Sequence, residues 1–288
     1  VDESLETEDI LEMVHSGAIP MTIADNILAE IWSGVFDNLK VHADLKVRTG
    51  SEIAWMVRKN NPDLKESLDV FIKRHRKGTR LGNIYFNRYF ERNKWIKNPL
   101  TTKGLERQRQ YTKLFKKYAS EYRFDWLLIM ALAYQESGLN NNKTSPSGAV
   151  GIMQVQPSTA ADRNINIPNV TVLENNVHAG VKYLAFLRDR YFQNDMINER
   201  NRIRFSLAAY NAGPKKIRRA QKLAEKMGWD RYRWFRNVEI ATLRLVGQET
   251  VQYVSNINKY YVLFKLHEET ERLRESSKRE SLARGKPH

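Results

Sequence analysis

Residues 125–154 read DWLLIMALAYQESGLNNNKTSPSGAVGIMQ, and this stretch decides the fold. Its first part is apolar from Trp126 to Tyr134, which predicts one buried helix. Asp125 precedes that helix and can cap its first turn, and Gly138 can adopt the left-handed conformation that ends a helix. Glu136 is therefore predicted to lie in the last turn of an apolar helix.

A carboxylate at that place is expected to hold its proton near neutral pH. The negative end of a helix disfavours a further negative charge by ~0.3–1 kcal/mol, which is less than one pKa unit. Apolar neighbours that remove the carboxylate from water can raise its pKa by much more. Both effects raise the pKa of Glu136, and burial is the larger of the two. A protonated carboxylic acid is the group that breaks a glycosidic bond by general acid catalysis.

The segment after the helix predicts a tight loop. Asn140-Asn141-Asn142 and Ser145-Pro146-Ser147-Gly148 are turn-forming sequences, so the chain is expected to reverse within a few residues. Gly148 and Gly151 allow the backbone to approach either another helix or a sugar. The amide of Gln154 offers a donor and an acceptor to hydroxyl and acetamido groups. Taken alone, a Glu-Ser pair in this setting is more often a structural helix end followed by an ordinary loop.

Three motifs, in order and spacing, resemble the signatures of the soluble-type lytic transglycosylases. They are Glu136-Ser137 with Ser145, Gly148-Ala149-Val150-Gly151-Ile152-Met153-Gln154 and Pro157-Ser158-Thr159-Ala160; then Ala208-Ala209-Tyr210-Asn211-Ala212-Gly213; and then Gln252-Tyr253-Val254. The resemblance extends over residues 108–266 and implies an all-helical, lysozyme-like catalytic domain. Members of this family cleave peptidoglycan glycan strands between N-acetylmuramic acid (MurNAc) and N-acetylglucosamine (GlcNAc). They leave a 1,6-anhydro ring on MurNAc instead of adding water.

The resemblance also implies a role for each motif residue. Glu136 acts as the single catalytic acid and base, and Ser145 and Gln154 bind the substrate near the scissile bond. Tyr210 directs its hydroxyl at Glu136 or at the acetamido carbonyl, and Asn211 holds the loop or the sugar. Tyr253 stacks on a sugar or hydrogen-bonds to it. Core packing is the alternative reading of both tyrosines. Gln156 stands where many relatives carry Met, which leaves that subsite contact open.

Most glycosidases need a second carboxylate as nucleophile or base. Asp162, Glu174 and Asp189 are candidates by their proximity in sequence, but none lies in a recognisable motif. The resemblance implies that no second carboxylate is needed. A hydrolase similar to goose-type lysozyme remains an alternative, and it would require a carboxylate that positions water. A non-catalytic muropeptide sensor is the other alternative, and the N-terminal region is the argument for it.

The N-terminal region predicts a separate α/β unit. The sequence predicts a short strand at Val1–Ser4, a strand at Ala18–Ala24 and an apolar strand at Ile53–Val57, and these strands alternate with segments of helical periodicity. This region resembles the second half of a periplasmic solute-binding domain whose first half is not in the chain. Such a domain ahead of a transglycosylase domain is the arrangement of the membrane-bound lytic transglycosylases of type F.

The predicted organisation is α+β overall, with three parts. Residues 1–98 form the incomplete α/β solute-binding-like domain, and residues 99–267 form the all-helical lysozyme-like domain. The last predicted helix begins at Glu249 and ends near His267. Residues 268–288 are charged and lack aromatic residues, which predicts a frayed or disordered tail.

Composition limits the partners. The 288 residues carry a formal net charge of +15, which favours binding to a polyanion such as nucleic acid, anionic lipid or cell wall. The basic residues are dispersed and accompany no nucleic-acid-binding motif, so nucleic acid is not the predicted partner. There are no cysteines, and the sequence predicts no metal site, no cofactor and no transmembrane segment. The resemblance implies glycan strands as substrate, cell-wall peptides as ligands of the N-terminal domain, and a periplasmic location peripheral to the outer membrane.

Overall fold

The computed structural model describes residues 5–36, 38–50, 54–87 and 99–284. The chain divides into two compact units, one of residues 6–98 and one of residues 1–5 with 99–288. In the described residues of both units the regular secondary structure is helical, joined by turns and irregular loops, and one loop contains isolated β-bridges. Within the described ranges, no helix is both long enough and apolar enough to cross a bilayer.

The first unit contains four helices in its described part. Glu6 caps the first helix, and Pro62 occupies the first turn of the third helix, where its missing N–H is not needed. A small apolar cluster of Leu11, Trp32, Val35 and Phe36 lies between the first two helices and the turn that follows them. The helices are α1 (Thr7–His15), α2 (Asn26–Ser33), α3 (Pro62–His75) and α4 (Arg80–Phe86).

The predicted α/β character of this unit is not found in its described residues. Residues 18–24 form turns and unpaired backbone, and residues 54–57 are likewise unpaired. A strand is stable only when its N–H and C=O groups pair with a neighbouring strand, and neither segment has such a partner among the described residues. Met21, Ile23 and Met56 are accordingly exposed instead of covering a core. The predicted strand at 1–4 and the start of the one at 53 lie outside the described residues.

The second unit is built around the helix predicted from the quoted sequence. Its described helices are α5 (Thr102–Glu121), α6 (Trp126–Ser137), α7 (Pro157–Ala161), α8 (Leu173–Tyr191), α9 (Glu199–Ala212), α10 (Pro214–Lys226), α11 (Glu239–Leu245) and α12 (Gln248–Arg284), with a π-helical turn at Trp234–Val238 before α11. Seven successive residues of the predicted helix, α6, are buried (127–133), as expected of a helix that is apolar on every face. Helices α5 and α12 pack on α6, and α8 packs on α9.

The last helix is longer than the sequence predicts. α12 continues past His267 to Arg284, so the structure places residues 268–284 in a helix instead of a frayed tail. Ion pairs between residues three and four positions apart, Glu271 with Arg274 and Glu275 with Arg279, lie along this extension. Such pairs stabilise an exposed helix that has no apolar face to bury.

Candidate active site

Glu136 lies in the last turn of α6, as predicted. Asp125 caps the start of the helix, where its Oδ1 accepts a hydrogen bond from the Leu127 N–H at 3.0 Å. The Tyr261 hydroxyl, on α12, donates to Oδ2 of the same carboxylate at 2.8 Å. The helix ends at Gly138, which has φ 66° and takes the left-handed conformation expected of it. Both ends of α6 are therefore fixed, and the fixed ends set the position of Glu136.

The carboxyl group of Glu136 is partly buried and has one phenol partner. The Tyr253 hydroxyl donates a hydrogen bond to Oε1 of Glu136. Burial raises the pKa of Glu136 to about 7, and this effect outweighs the opposite effects of the Tyr253 hydrogen bond and the Lys143 charge. A carboxyl group with this pKa can donate a proton and take one back near neutral pH.

Two phenols lie beside Glu136, and their hydroxyl groups have different partners. The Tyr210 hydroxyl, which was expected to reach Glu136 or a sugar, donates to the main-chain carbonyl of Met153 at 2.9 Å. Tyr253, expected to contact a sugar, is 5% exposed and supplies the phenol that reaches Glu136. Burial raises the pKa of both phenols well above the usual value, so both remain hydrogen-bond donors.

The loop that follows α6, residues 139–156, is held against α8 by Asn176, and it is named the catalytic loop for the role that the sequence predicts. This side chain is fully buried, and its Oδ1 accepts a hydrogen bond from the Met153 N–H at 2.8 Å. Its Nδ2 donates to the carbonyls of Val150 at 2.8 Å and Val170 at 2.7 Å. One amide therefore satisfies three buried backbone groups. The motifs did not identify this residue, although an Asn on the apolar face of α8 is the kind of signal that indicates a buried polar anchor.

Glycine at position 151 is explained by the same contact. Gly151 has φ 81°, and a Cβ placed on it would lie 2.1 Å from Nδ2 of Asn176. Of the two options predicted for this glycine, close approach to a helix or to a sugar, the structure shows the first. By contrast, a Cβ on Gly148 would meet only Oε1 of Gln156, at 3.8 Å.

The predicted substrate-binding residues of the loop make contacts within the loop. The Ser145 hydroxyl accepts a hydrogen bond from the Ala149 N–H at 3.0 Å and pairs with the Ser147 hydroxyl at 2.9 Å. Nε2 of Gln154 donates to the carbonyls of Lys143 at 3.0 Å and Gly151 at 2.8 Å. Gln154 itself has φ 47°, a conformation that the sequence did not predict. These contacts shape the loop around Glu136.

Asn211 links two helices near the site. It is the penultimate residue of α9, and its Oδ1 accepts a hydrogen bond from the Thr250 hydroxyl of α12 at 2.7 Å. This contact holds the end of α9, which carries Tyr210, to the helix that carries Tyr253. The residue remains exposed at the surface.

The other candidate carboxylates have partners of their own. Asp162 accepts hydrogen bonds from the backbone and side chain of Asn164, and these bonds lower its pKa. Glu174 pairs with Lys117, and Asp189 pairs with Arg188, which lowers the pKa of each carboxyl group. All three carboxyl groups have a lowered pKa and are therefore charged near neutral pH, whereas the pKa of Glu136 is raised. Across the described ranges, no group of His, Cys, Asp and Glu side chains has the arrangement of a metal site.

Comparison with known proteins supports the resemblance over the segment that contains the first two motifs. Residues 113–232 match the family described as "Transglycosylase SLT domain". Membrane-bound lytic murein transglycosylase F of Desulfosudis oleivorans is 31% identical, over 90% of this chain and 59% of its own length. The protein of that name from Shewanella woodyi is 30% identical, over 90% of this chain and 56% of its own length.

The chain thus spans little more than half the length of these two relatives. The crystal structure of the 70 kDa soluble lytic transglycosylase of Escherichia coli is similar at a TM-score of 0.43 and 31% identity, covering 54% of this chain and 24% of that one. The matched segment contains Glu136, the loop, Asn176 and Tyr210. The similarity of this chain to the transglycosylase SLT domain family therefore covers residues 113–232.

Proposed function

We propose that this chain is a peptidoglycan lytic transglycosylase that cleaves the β-1,4 bond between MurNAc and GlcNAc and forms 1,6-anhydro-MurNAc. The observation that carries the proposal is the state of Glu136, whose pKa is raised to about 7 by burial at the end of α6. A group with that pKa can serve as acid in one step and as base in the next. The family match of residues 113–232 and the names of the relatives support the same reaction.

In the first step, protonated Glu136 gives its proton to the GlcNAc O4 atom that links the two sugars. The bond between that oxygen and C1 of MurNAc breaks, and the electron pair leaves with the oxygen. The acetamido oxygen of MurNAc stabilises the positive charge that develops at C1. Glu136 is left as a carboxylate, and the Tyr253 hydroxyl stabilises this charged form because it already donates to Oε1.

In the second step, the Glu136 carboxylate takes the proton of the MurNAc C6 hydroxyl as that oxygen attacks C1. The anhydro ring closes, and the enzyme returns to its protonated state. The C6 hydroxyl belongs to the same sugar, so its effective concentration exceeds that of an external nucleophile. No second carboxylate is required for this cycle. The partners of Asp162, Glu174 and Asp189 are consistent with such a mechanism.

The substrate contacts follow from the position of the loop. Ser145 and Gln154 belong to the loop that faces the last turn of α6, and Asn211 lies at the end of α9. We assign Ser145, Gln154 and Asn211 to sugar binding around the scissile bond, with Tyr210 and Tyr253 supporting Glu136 and the loop. The substrate is the glycan strand, and the proposed location is the periplasm, peripheral to the outer membrane. For residues 1–98 we propose binding of cell-wall peptides that regulates the site.

A hydrolase and a sensor give different results in one experiment. Purified sacculi are digested with the wild-type chain, and the products are identified by mass spectrometry. The proposal predicts anhydro-MurNAc ends, a hydrolase would leave reducing ends, and a sensor would release nothing. Glu136→Gln should abolish release, because a side-chain amide is too weak an acid to protonate the glycosidic oxygen. Glu174→Gln is the matched control, since it removes a carboxylate of the same domain that pairs with Lys117 and should leave release unchanged.

A further inference from the structure

Lys143 joins the catalytic loop to the helix that carries Glu136. Its Nζ donates a hydrogen bond to the main-chain carbonyl of Glu136. Its own carbonyl accepts hydrogen bonds from the Gly151 N–H at 2.9 Å and from Nε2 of Gln154 at 3.0 Å. One residue therefore bonds to the end of α6 through its side chain and to the second half of the loop through its backbone.

The position suits a cation. The last carbonyls of a helix have no partner within the helix, and they carry its negative end. An ammonium group there satisfies one of those carbonyls and balances the helix dipole. Arg107 of α5 occupies the same end, where its guanidinium donates to the Gly138 carbonyl at 3.3 Å. Lys143 differs from Arg107 because it bonds to the residue that carries the catalytic carboxyl group.

We propose that Lys143 is a positioning residue for the reaction, because its ammonium group closes the loop onto the last turn of α6 and places a positive charge beside Glu136. This inference rests on the proposed function. Lys143 does not contact the reacting atoms of the sugar in this mechanism. It acts through Glu136, by fixing the main chain on which that residue stands and by stabilising its carboxylate form.

The electrostatic part of this role has a definite sign. The groups that act on the Glu136 carboxyl are the Tyr253 hydroxyl from α12, the Tyr210 hydroxyl from α9 and the Lys143 ammonium from the loop. The Lys143 charge lowers the pKa of Glu136, opposing burial. Loss of that charge therefore raises the pKa further, so the acid form persists to higher pH. Because Lys143 is exposed, added salt should weaken its effect.

The test compares the pH dependence of anhydro product formation in the wild type, Lys143→Met and Lys143→Arg. The Lys143→Met profile should have its alkaline limb displaced upwards by roughly half a pH unit, the size expected for one exposed charge near a helix end. Lys143→Arg should keep the wild-type limb, because it keeps the charge. High salt should shift the alkaline limb of the wild-type pH profile to higher pH, because it screens the Lys143 charge. The alkaline limb of Lys143→Met should not shift with salt.

Lys182→Met is the matched control. The Lys182 Nζ also donates to a main-chain carbonyl, that of Ile165 at 2.7 Å, but it belongs to α8 and not to the catalytic loop. This variant should keep the wild-type limb. The proposal is overturned if Lys143→Met shows no displacement, if Lys143→Arg is displaced as far as Lys143→Met, or if Lys182→Met is displaced equally. None of these results affects the proposed function, which fails only if the wild type forms no anhydro product.

Discussion

The Tyr253 hydroxyl donates a hydrogen bond to Oε1 of Glu136 across a sequence separation of 117 residues. This contact connects the third motif to the first and brings α12 onto the end of α6 that carries Glu136. The phenol is buried and stays protonated, so it supplies a fixed donor to a carboxyl group that alternates between two charge states in the proposed mechanism. A donor that is already in place lowers the cost of forming the carboxylate between the two steps.

Tyr253→Phe should slow the reaction and move its pH dependence. The lost hydrogen bond favours the charged form of Glu136, so its removal raises the pKa of that group above about 7 and displaces the alkaline limb upwards. A hydrogen bond to a charged group contributes about 1.5–3 kcal/mol, so we expect a rate loss of about tenfold or more. The measurement is the pH profile of product release.

Tyr261→Phe is the control for that experiment. It also removes a bond between a phenol of α12 and a carboxylate of α6, but at Asp125, at the opposite end of the helix. This variant should be less stable than the wild type, but the alkaline limb of its pH profile should stay at the wild-type pH. Equal displacement in both variants would show that the effect comes from the packing of α12 and not from the contact with Glu136.

Glu136→Gln should stabilise the chain at alkaline pH. The folded state raises the pKa of Glu136 from 4.5 to about 7. The folded chain therefore holds a proton over that range which the unfolded chain releases, so stability falls as pH rises from one value to the other. At a pH above the folded-state pKa, the raised pKa of Glu136 lowers the free energy of unfolding by about 3 kcal/mol. At a pH below the unfolded-state pKa it has no effect on stability.

Urea unfolding of the wild type and Glu136→Gln over that pH range measures this difference. The two proteins should have similar free energies of unfolding near about pH 4 and diverge towards about pH 8, where the Glu136→Gln variant should be the more stable of the two. Parallel curves with no divergence would mean that Glu136 has an ordinary pKa and would remove the basis of the acid–base assignment.

Asn176→Ala should strongly destabilise the catalytic loop. The change leaves the Met153 N–H and the Val170 carbonyl without partners in a buried site. The Val150 carbonyl keeps its hydrogen bond from the Val155 N–H. Each unsatisfied group costs about 1–3 kcal/mol, so we expect a loss of about 2 kcal/mol or more. Asn175→Ala, which removes a single exposed bond to the Pro168 carbonyl, should cost less than about 1 kcal/mol. Chemical denaturation distinguishes them, and equal losses would contradict the assigned role of Asn176.

Gly151→Ala and Gly148→Ala should differ, although both glycines have positive φ. At position 148 the added methyl group makes only an ordinary contact with Oε1 of Gln156, so the cost is backbone strain of about 1–2 kcal/mol. At position 151 the methyl group also collides with Asn176 and displaces the amide that holds the loop. Gly151→Ala should therefore lose most of its activity, and Gly148→Ala should keep most of it. Similar activities, measured by release of product from sacculi, would contradict this reading of the contact.

The basic face of α10 predicts salt-dependent binding to the cell wall. Lys215, Arg219, Lys222 and Lys226 lie on one side of the helix, at spacings of four, three and four residues, and all are exposed. Replacing all four by Gln should weaken sedimentation with sacculi roughly three- to tenfold at low salt. The control replaces four dispersed exposed cations, Lys113, Arg163, Arg190 and Arg200, with the same loss of charge. Equal weakening in both variants would indicate that only net charge matters.

Local signals in the sequence were sufficient to predict α6 and its ends. Asp125, the apolar run and Gly138 act within a few residues of one another, so their effects can be read directly from the chain. The pKa of Glu136 was predicted in direction because burial and the helix end are also local. The partners were not predictable in this way. Tyr253 and Asn176 reach the site only through the packing of α12 and α8, which no local pattern specifies.

In the N-terminal region and in α12, the structure differs from the sequence prediction for a similar reason. Apolar segments such as residues 18–24 become strands only where a neighbouring strand is available, and sequence patterning cannot supply that neighbour. The end of α12 was predicted from the loss of apolar residues after His267. Charged residues with favourable spacing continued the helix to Arg284 instead.

The most direct test of the central claim is the source of the oxygen on C1 of the product. Sacculi are digested in water enriched in heavy oxygen, and the terminal muramic residues are analysed by mass spectrometry. Attack by the MurNAc C6 hydroxyl, with Glu136 as the only acid and base, predicts anhydro ends that contain no label. Labelled reducing ends in the wild type, or unlabelled anhydro ends formed at an undiminished rate by Glu136→Gln, would contradict it.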